Sequence, residues 1–342
     1  MGLSTKKARI AILQGDACGI GPELMSKLLN KKEIYENAVI LVISDKRVFD
    51  MGDVVANNQT PIKLVQNLEE IELDDGVANL IDTKNIDPRN IMPGVVSEAS
   101  GFSVLENLKF TIELATKNII DGICFTPFNK EALHKAGMTF EDELGYIRNL
   151  LGLSTRASEF NVVDKMWNAR VTSHVPLKEV SDLIDIKKIL DSIIMSDKTL
   201  KEAGFLRPRI AVAALNPHAG DGGAIGREEI EVIKPAIEKA QALQISVNGP
   251  FPSDTMYLKI RDGEFDCGVS MYHDQGQIAI KLLGFDKGVT VLGGLPIPIT
   301  TPAHGTAFDI VSTNKANVQP TLNAFKMVAE MVRNRSQTDY TN

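Results

Sequence analysis

Apolar residues along the chain fall into two recurring patterns. Short unbroken runs, "AVILVIS" (38–44), "DGICFTP" (121–127), "RIAVAAL" (209–215) and "CGVSMYH" (267–273), end in polar or proline residues and read as buried strands. Between them apolar positions recur at helical spacing. In 100–119 these are Val104, Leu105, Leu108, Ile112, Ala115 and Ile119, and the segments 176–204 and 226–243 repeat the pattern. Strand and helix signals alternate throughout, which predicts an α/β fold with a largely parallel sheet. "ARIAILQ" reads as the first strand and "GDACGIGPE" (15–23) as the turn after it. In that turn Pro22 suits the first turn of a following helix, and Glu23 suits its N-terminus. The polar end "RNRSQTDYTN" (333–342) reads as frayed.

Length and composition narrow the picture. With 342 residues the chain has room for two domains or one large α/β unit. A net charge of −7 disfavours a nucleic-acid partner or an anionic membrane surface. No run of about 18 apolar residues is present, so no membrane span is expected. The basic start leads through a short apolar run straight into a turn, which reads as a strand and not as a signal peptide. Gly2, Thr5 and Lys6 match a myristoylation start only weakly. Cys18, Cys124 and Cys267 are widely spaced with no CxxC, which suggests reduced thiols in a cytoplasmic protein.

The five histidines carry the clearest chemical signal. His174 in "VTSHVPL", His218 in "NPHAGDGG" and His273 in "SMYHDQG" each follow a strand-like run. Ligands collect at the carboxyl ends of strands in parallel α/β folds, and three protein ligands with one open position describe a catalytic metal. Hydrogen-bonded caps are the alternative reading. Asp274, next to His273, and Asp254 in "GPFPSDT" could orient an imidazole, move a proton, or cap a turn. In "TPAHGTAFDI" the residues after His304 leave backbone N–H groups accessible, either to a nucleotide or within a plain tight turn.

Seven motifs in order, "GDACGIGPE", "TPFNKEAL", "SHVPL", "LNPHAGDGGAIGREE", "GPFPSDT", "MYHDQGQIAIK" and "GGLPIPITTPAHGTAFDI", resemble the 4-hydroxythreonine-4-phosphate dehydrogenase family of vitamin B6 biosynthesis and its catabolic relatives. The resemblance implies a fold like the isocitrate and isopropylmalate dehydrogenases, with two α/β lobes and an active-site cleft between them. Lobe one would take 1–127 with 283–334 on the nucleotide side, and lobe two 128–282 on the metal, substrate and dimer side. It implies a homodimer whose sites draw on both subunits, a small-molecule substrate, and NAD or NADP. It also implies a divalent metal, zinc first, held by His174, His218 and His273. Lys281, Asp274 and Asp254 fall on positions near substrate and metal. "HGTAFDI" resembles the adenosine-side loop of the isopropylmalate dehydrogenases, which assigns the cofactor to Gly294, His304, Gly305, Thr306, Ala307, Asp309 and Asn317. The opening loop resembles the Gly-Asp-Gly-Ile-Gly-Pro-Glu turn of the same enzymes, with Ala17 and Cys18 as its odd residues. It is a family marker rather than a dinucleotide loop, and no GxGxxG followed by an acid at the required distance is present.

The chain departs from the family at its substrate positions. Where the biosynthetic enzymes carry Gly-His-Thr-Glu, this chain has Asp142-Glu143-Leu144-Gly145. Where the family's phosphate grip uses an Asn and an Arg, it has Thr290 and Ile299, so only Lys281 of that grip remains. Losing a bidentate Arg forfeits charge-assisted hydrogen bonds of about 1.5–3 kcal/mol each. The main reading is therefore a dehydrogenase of an unphosphorylated hydroxy-carboxylate or dihydrodiol-carboxylate, with decarboxylation and with Glu143, Thr290 and Ile299 lining the substrate. The terephthalate dihydrodiol branch is the suggested kin. Glu143 read as the solvated start of a helix is the plainer alternative. The same dehydrogenase class acting on 4-hydroxythreonine-4-phosphate or a related phosphorylated sugar acid is the second reading. A non-catalytic binding protein is the third, against which the retained histidines, Lys281 and both aspartates argue.

Overall fold

A computed structural model describes residues 7–36, 38–66, 71 and 76–338. The weak myristoylation signal at Gly2, Thr5 and Lys6 lies outside the described residues. The chain forms two compact units. The first takes the described residues up to Ala157 and from Leu295 onward, and the second is Ser158–Gly294.

The first unit begins with β1 (Ala8–Leu13), α1 (Gly21–Leu29), β2 (Ala38–Ser44), α2 (Lys46–Ala56), β3 (Ile62–Val65) and β4 (Ala78–Asp82). It continues with α3 (Glu98–Thr116), β5 (Gly122–Phe125), α4 (Lys130–Lys135) and α5 (Glu143–Leu150). Its strands lie in the order β3-β4-β2-β1-β5, and every pairing is parallel. β2 is buried at every position, as its unbroken apolar run predicts. Because β2 and β5 lie on opposite sides of β1, the chain reverses its direction of winding there. The carboxyl end of β1 is therefore a switch point, where such sheets bind ligands.

The second unit runs β6 (Ser158–Val163), β7 (Met166–Arg170), α6 (Val180–Leu183), α7 (Ile186–Glu202), β8 (Ile210–Ala213), α8 (Lys234–Ala242) and β9 (Val247–Phe251). It closes with α9 (Ser253–Arg261), β10 (Cys267–Ser270), α10 (His273–Gly284) and β11 (Val289–Gly293). Its strand order is β11-β6-β7-β10-β8-β9. The largely parallel expectation holds, with one antiparallel exception in this unit. β7, β10, β8 and β9 are parallel neighbours, but β6 pairs antiparallel with both β7 and β11. A tight turn at Asp164, with φ 52°, folds β6 onto β7 as a hairpin.

The chain then returns to the first unit with β12 (Ile299–Pro302), parallel to β5, and α11 (Gln319–Thr338). Residues 339–342 lie outside the described residues, and 333–338 of the end expected to fray continue this helix. Leu322, Phe325, Val328, Ala329 and Val332 form its buried stripe, and Arg335 Nη2 ties the last turn to the Leu295 carbonyl at 3.1 Å.

Two helical patterns are interrupted. The segment 176–204 breaks at Asp185, which caps α7 by accepting from Lys188 N at 2.7 Å. The segment 226–243 includes a π-helical turn over Glu229–Ile233 that ends two residues before Pro235, whose ring and missing N–H exclude a regular turn. The compact units change at 157/158 and 294/295, whereas the sequence reading divides the lobes at 127/128 and 282/283. α4 and α5 stay with the first unit because Leu133, Met138, Phe140 and Tyr146 pack with Val104 and Leu105 of α3.

Candidate functional site

In the second unit the parallel strands β7, β10, β8 and β9 end on one edge of the sheet, and the segments leaving those ends carry His174, His273, His218 and Asp254. Adjacent strands lie about 4.8 Å apart. β7 and β10 accordingly deliver His174 and His273 side by side, with ring centroids 5.8 Å apart. His273 opens α10, and its Nδ1 lies 2.7 Å from Asp274 Oδ1. A carboxylate on Nδ1 fixes the ring and turns Nε2 to the ligand side.

Two residues that sequence reading missed support this edge. Gln275 Nε2 donates to the Ala214 carbonyl and to Ser253 Oγ, both at 2.7 Å, while its Oε1 accepts from Met271 N at 2.6 Å. It thus pins the end of β8 to the starts of α9 and α10. Arg170, 5 % exposed, donates to Ser173 Oγ at 2.9 Å and to Asn161 Oδ1 and Glu159 Oε2 at 2.6 Å each. It holds the residue directly before His174. An amide and a lone Arg carry no spacing signature, so position inside "MYHDQG" and next to "SHVPL" was the only signal.

His218 behaves differently. It begins five successive residues, 218–222, with φ between 42° and 77°. Left-handed backbone costs a non-glycine residue on the order of 1–2 kcal/mol, and His218, Ala219 and Asp221 all adopt it. Glu229, 1 % exposed, anchors the turn. Its Oε1 accepts from Leu215 N and Asn216 N at 2.9 and 2.7 Å, and its Oε2 from Asn216 Nδ2 at 3.0 Å. His218 itself is exposed. Among the described residues no group of three His, Cys, Asp or Glu could hold one metal ion. The expected convergence of His174, His218 and His273 is therefore not found within one chain. Strand spacing brings two imidazoles together, and the third stands on the anchored left-handed turn. Two imidazoles fit a divalent ion as part of its ligand set, and the set is incomplete.

Of the other residues assigned to this region, Asp254 lies in the first turn of α9 and Lys281 on α10, both exposed. Thr290 is buried in β11, where its Oγ1 accepts from Asn161 Nδ2 at 3.3 Å. Gly294 stands at φ 84°, a conformation that favours glycine.

In the first unit the segment after β12 carries His304, Gly305, Thr306, Ala307, Asp309 and Asn317. It docks on the opening loop. Ile20 N donates to the Thr306 carbonyl at 3.1 Å, and a Cβ on Gly19 would stand 2.7 Å from Thr306 Cβ. Ile20, Leu24 and Ala316 pack with Ala307, Ile310, Val311 and Val318. Asp16 shapes the loop from within, because its Oδ1 accepts from Cys18 N at 3.0 Å and from Ser100 Oγ. Its Oδ2 has no hydrogen-bond partner among the described residues, and burial pushes its carboxyl above the ordinary range. Burial also lowers the His304 imidazole, whose Nδ1 contacts the Gly305 carbonyl at 3.0 Å.

The surface above this segment is open. A Cβ on Gly305 would meet nothing within 4 Å, so packing does not demand glycine there, and Gly305, Asp309 and Asn317 are exposed. That space suits a nucleotide lying close to the backbone. Glu143 and Ile299 also belong to this unit. Glu143 is the first residue of α5 behind the cap Asp142, whose Oδ1 accepts from Gly145 N at 2.8 Å. Ile299 lies in β12 opposite Ile123, with 0 % exposure and no surface to offer a ligand.

The three thiols are free and buried. Desolvation pushes Cys18 up to about 11 and Cys124 and Cys267 up to about 12. No helix of the described residues is long and apolar enough to cross a membrane.

The family model for pyridoxal phosphate biosynthetic protein PdxA matches residues 36–328. A Rhizobium meliloti (strain 1021) protein provisionally named 4-hydroxythreonine-4-phosphate dehydrogenase 2 is 42 % identical over 98 % of this chain and 96 % of its own length. The D-threonate 4-phosphate dehydrogenase of Pectobacterium atrosepticum is 38 % identical over 90 % of this chain and 94 % of its own. The solved 4-hydroxythreonine-4-phosphate dehydrogenase of Klebsiella pneumoniae superposes with a TM-score of 0.84 at 31 % identity, covering 95 % of this chain and 100 % of that one. A terephthalate dihydrodiol dehydrogenase of Burkholderia xenovorans LB400 shares only 23 % identity at a TM-score of 0.66, covering 95 % and 98 %, and so shows the fold alone.

These likenesses overturn the main functional reading of an unphosphorylated hydroxy-carboxylate or dihydrodiol-carboxylate substrate with decarboxylation. The second reading, a phosphorylated substrate, is the better supported. The error lay in weighing two positions, Thr290 and Ile299, above the whole chain, although one of them is core. The expected class, an oxidoreductase acting on a CH–OH group, agrees with the relatives' names. By the extent of the family match and the identity over nearly its full length, the chain belongs to the PdxA family.

Proposed function

We propose that the protein is an NAD(P)-linked dehydrogenase of a four-carbon hydroxy acid bearing a 4-phosphate, either D-threonate 4-phosphate or 4-hydroxythreonine 4-phosphate. The observation that carries this is the 38–42 % identity, over nine tenths of the chain or more, with relatives named for those two substrates. Oxidation of the secondary alcohol requires loss of its hydroxyl proton and transfer of hydride to the nicotinamide. In this reading the exposed ammonium of Lys281 pairs with an anionic group of the substrate. Asp274 holds His273 in one orientation. Asp254 and Asp274, both exposed at helix starts, are the candidate acceptors of the proton in this reading.

The family's divalent metal would be held by His174 and His273, and imidazole donors suit zinc. When bound, such an ion lowers the pKa of a coordinated hydroxyl and stabilises the charge that develops on it. A second copy of the chain would complete the ligand set, because His218 is exposed. The helix carrying His273 also presents Ile278 and Leu282 at 61 % and 83 % exposure, an apolar face suited to a homodimer contact. The nucleotide would lie on His304–Asp309 and Asn317, over the open face at Gly305. Three buried, unpaired thiols suit a reducing compartment such as the cytoplasm.

The test is NAD(P)+ reduction with divalent metal and each phosphate ester in turn. Reduction with at least one ester is expected, and no reduction with either would sink the reading.

A further inference from the structure

The segment proposed to carry the nucleotide has two turns of its own, Ile310 N to the Ala307 carbonyl and Thr313 N to the Ile310 carbonyl, and leans on contacts from outside for the rest. Ala307, Ser312 and Asn314 stand at φ 43°, 62° and 59°, and none of them is glycine. Such residues persist where surrounding structure over-determines them. For the stretch around Ala316 the support comes from α1, nearly three hundred residues earlier in the chain. Glu23, only 3 % exposed, accepts the Ala316 N–H on Oε1 at 2.9 Å. Lys27, one turn further along α1, donates to Glu23 Oε1 at 2.7 Å, to the Ala316 carbonyl at 2.9 Å and to the Asn314 carbonyl at 3.1 Å. The ammonium has three N–H donors, and these three acceptors match them. Both peptide groups that flank Lys315 are therefore held by one ion pair.

We infer that Glu23 and Lys27 form a positioning pair that sets the shape of segment 304–317 for the cofactor. The inference rests on the proposed nucleotide site and adds to it the device that holds it. Glu23 is too buried and Lys27 too engaged to meet a ligand, so neither is a catalytic residue. Their action passes through the carbonyl of Asn314 and both backbone groups of Ala316, next to Asn317. Compare Lys187 with Asp191, an ion pair of the same i,i+4 spacing with both partners on α7. That pair contributes only what a surface pair does. The Glu23–Lys27 pair instead removes freedom from a strained loop, and its loss should appear in cofactor affinity.

Lys27→Met in the full-length enzyme is expected to raise the KM for NAD(P)+, and the Kd for NAD(P)H followed by nicotinamide fluorescence, by about tenfold, the worth of one charge-assisted hydrogen bond. kcat and the KM for the phosphorylated substrate should stay within about twofold, because the strained segment and not the chemistry is disturbed. Lys27→Gln, which keeps a donor, should show a smaller shift and serves if Lys27→Met does not fold. Lys187→Met should change nothing. Asp309→Ala, on the exposed face of the segment, separates the two layers of the argument. If Asp309→Ala weakens the cofactor and neither Lys27 variant does, the positioning role is wrong and the nucleotide site stands. If neither Asp309→Ala nor the Lys27 variants move cofactor affinity, the nucleotide lies elsewhere and both ideas fall.

Discussion

The backbone N–H of Ile20 donates to the carbonyl of Thr306 at 3.1 Å, joining the first loop of the chain to the segment after its last strand. Beside this bond the Cα of Gly19 faces Thr306, and an added Cβ would stand 2.7 Å from its Cβ and 2.9 Å from its carbonyl oxygen. Gly19→Ala is therefore expected to overpack the junction and cost about 1–3 kcal/mol of unfolding free energy. Chemical denaturation checks this, and the KM for NAD(P)+ should rise in parallel.

Asp16 stabilises the same loop at a price. Its raised carboxyl pKa means that the folded protein holds the proton to higher pH than the unfolded chain. The stability this confers is complete below the ordinary carboxylate value and is lost as pH rises through the folded one. Asp16→Asn keeps the Oδ1 acceptor for Cys18 N and Ser100 Oγ without burying a charge. It should match the wild type in acid and exceed it at neutral pH, as measured by urea midpoints across the range. A variant weaker than wild type at neutral pH would contradict this.

The opening loop also shows how far the sequence could be read. Its order of glycines, Pro22 and Glu23 is visible in the letters and marks the family. The same letters assign Glu23 to the helix dipole, whereas the structure spends its carboxylate on Ala316 and Lys27. A contact spanning 293 residues leaves no local periodicity to detect. Buried strands such as 38–44 were legible because burial on both faces demands an unbroken apolar run. The β6–β7 hairpin was not, because two short strands and one left-handed Asp164 lack an Asn-Gly or Asp-Gly signal. His174 and His273 were legible as neighbours only through strand order, which sequence spacing does not contain. The turn that carries His218 was not legible, because five left-handed residues in a row, three of them not glycine, are not what "HAGDG" suggests.

His304 gives a pH dependence of the opposite sign to that of Asp16. Burial lowers its imidazole below the ordinary value, so the unfolded chain binds the proton more readily than the folded one. Its contribution to stability is complete above the ordinary imidazole value and is lost as pH falls through the lowered one. His304→Asn should flatten the loss of stability on that acid side, read from melting temperature against pH. An unchanged profile would show that another group governs it.

Glu229 anchors the left-handed turn that begins at His218. Glu229→Ala leaves Leu215 N and Asn216 N without their acceptor. Each buried donor so orphaned costs about 1–3 kcal/mol. A destabilisation of about 2–4 kcal/mol is expected in chemical denaturation, together with lower retention of divalent metal after dialysis. Metal retention equal to wild type in a folded Glu229→Ala protein would show that this turn does not serve the metal.

The central claim is that the substrate carries a phosphate although the sequence reading sets Thr290 and Ile299 at the positions of the family's Asn and Arg. The most direct test compares kcat/KM for D-threonate 4-phosphate and for D-threonate, at saturating NAD(P)+ and divalent metal, with 4-hydroxythreonine and its 4-phosphate as the second pair. Lys281 alone, as a charge-assisted partner of the phosphate, gives a preference for the phosphorylated member of about tenfold or more. Equal values for the two members of both pairs, or a preference for the unphosphorylated acids, would contradict the account.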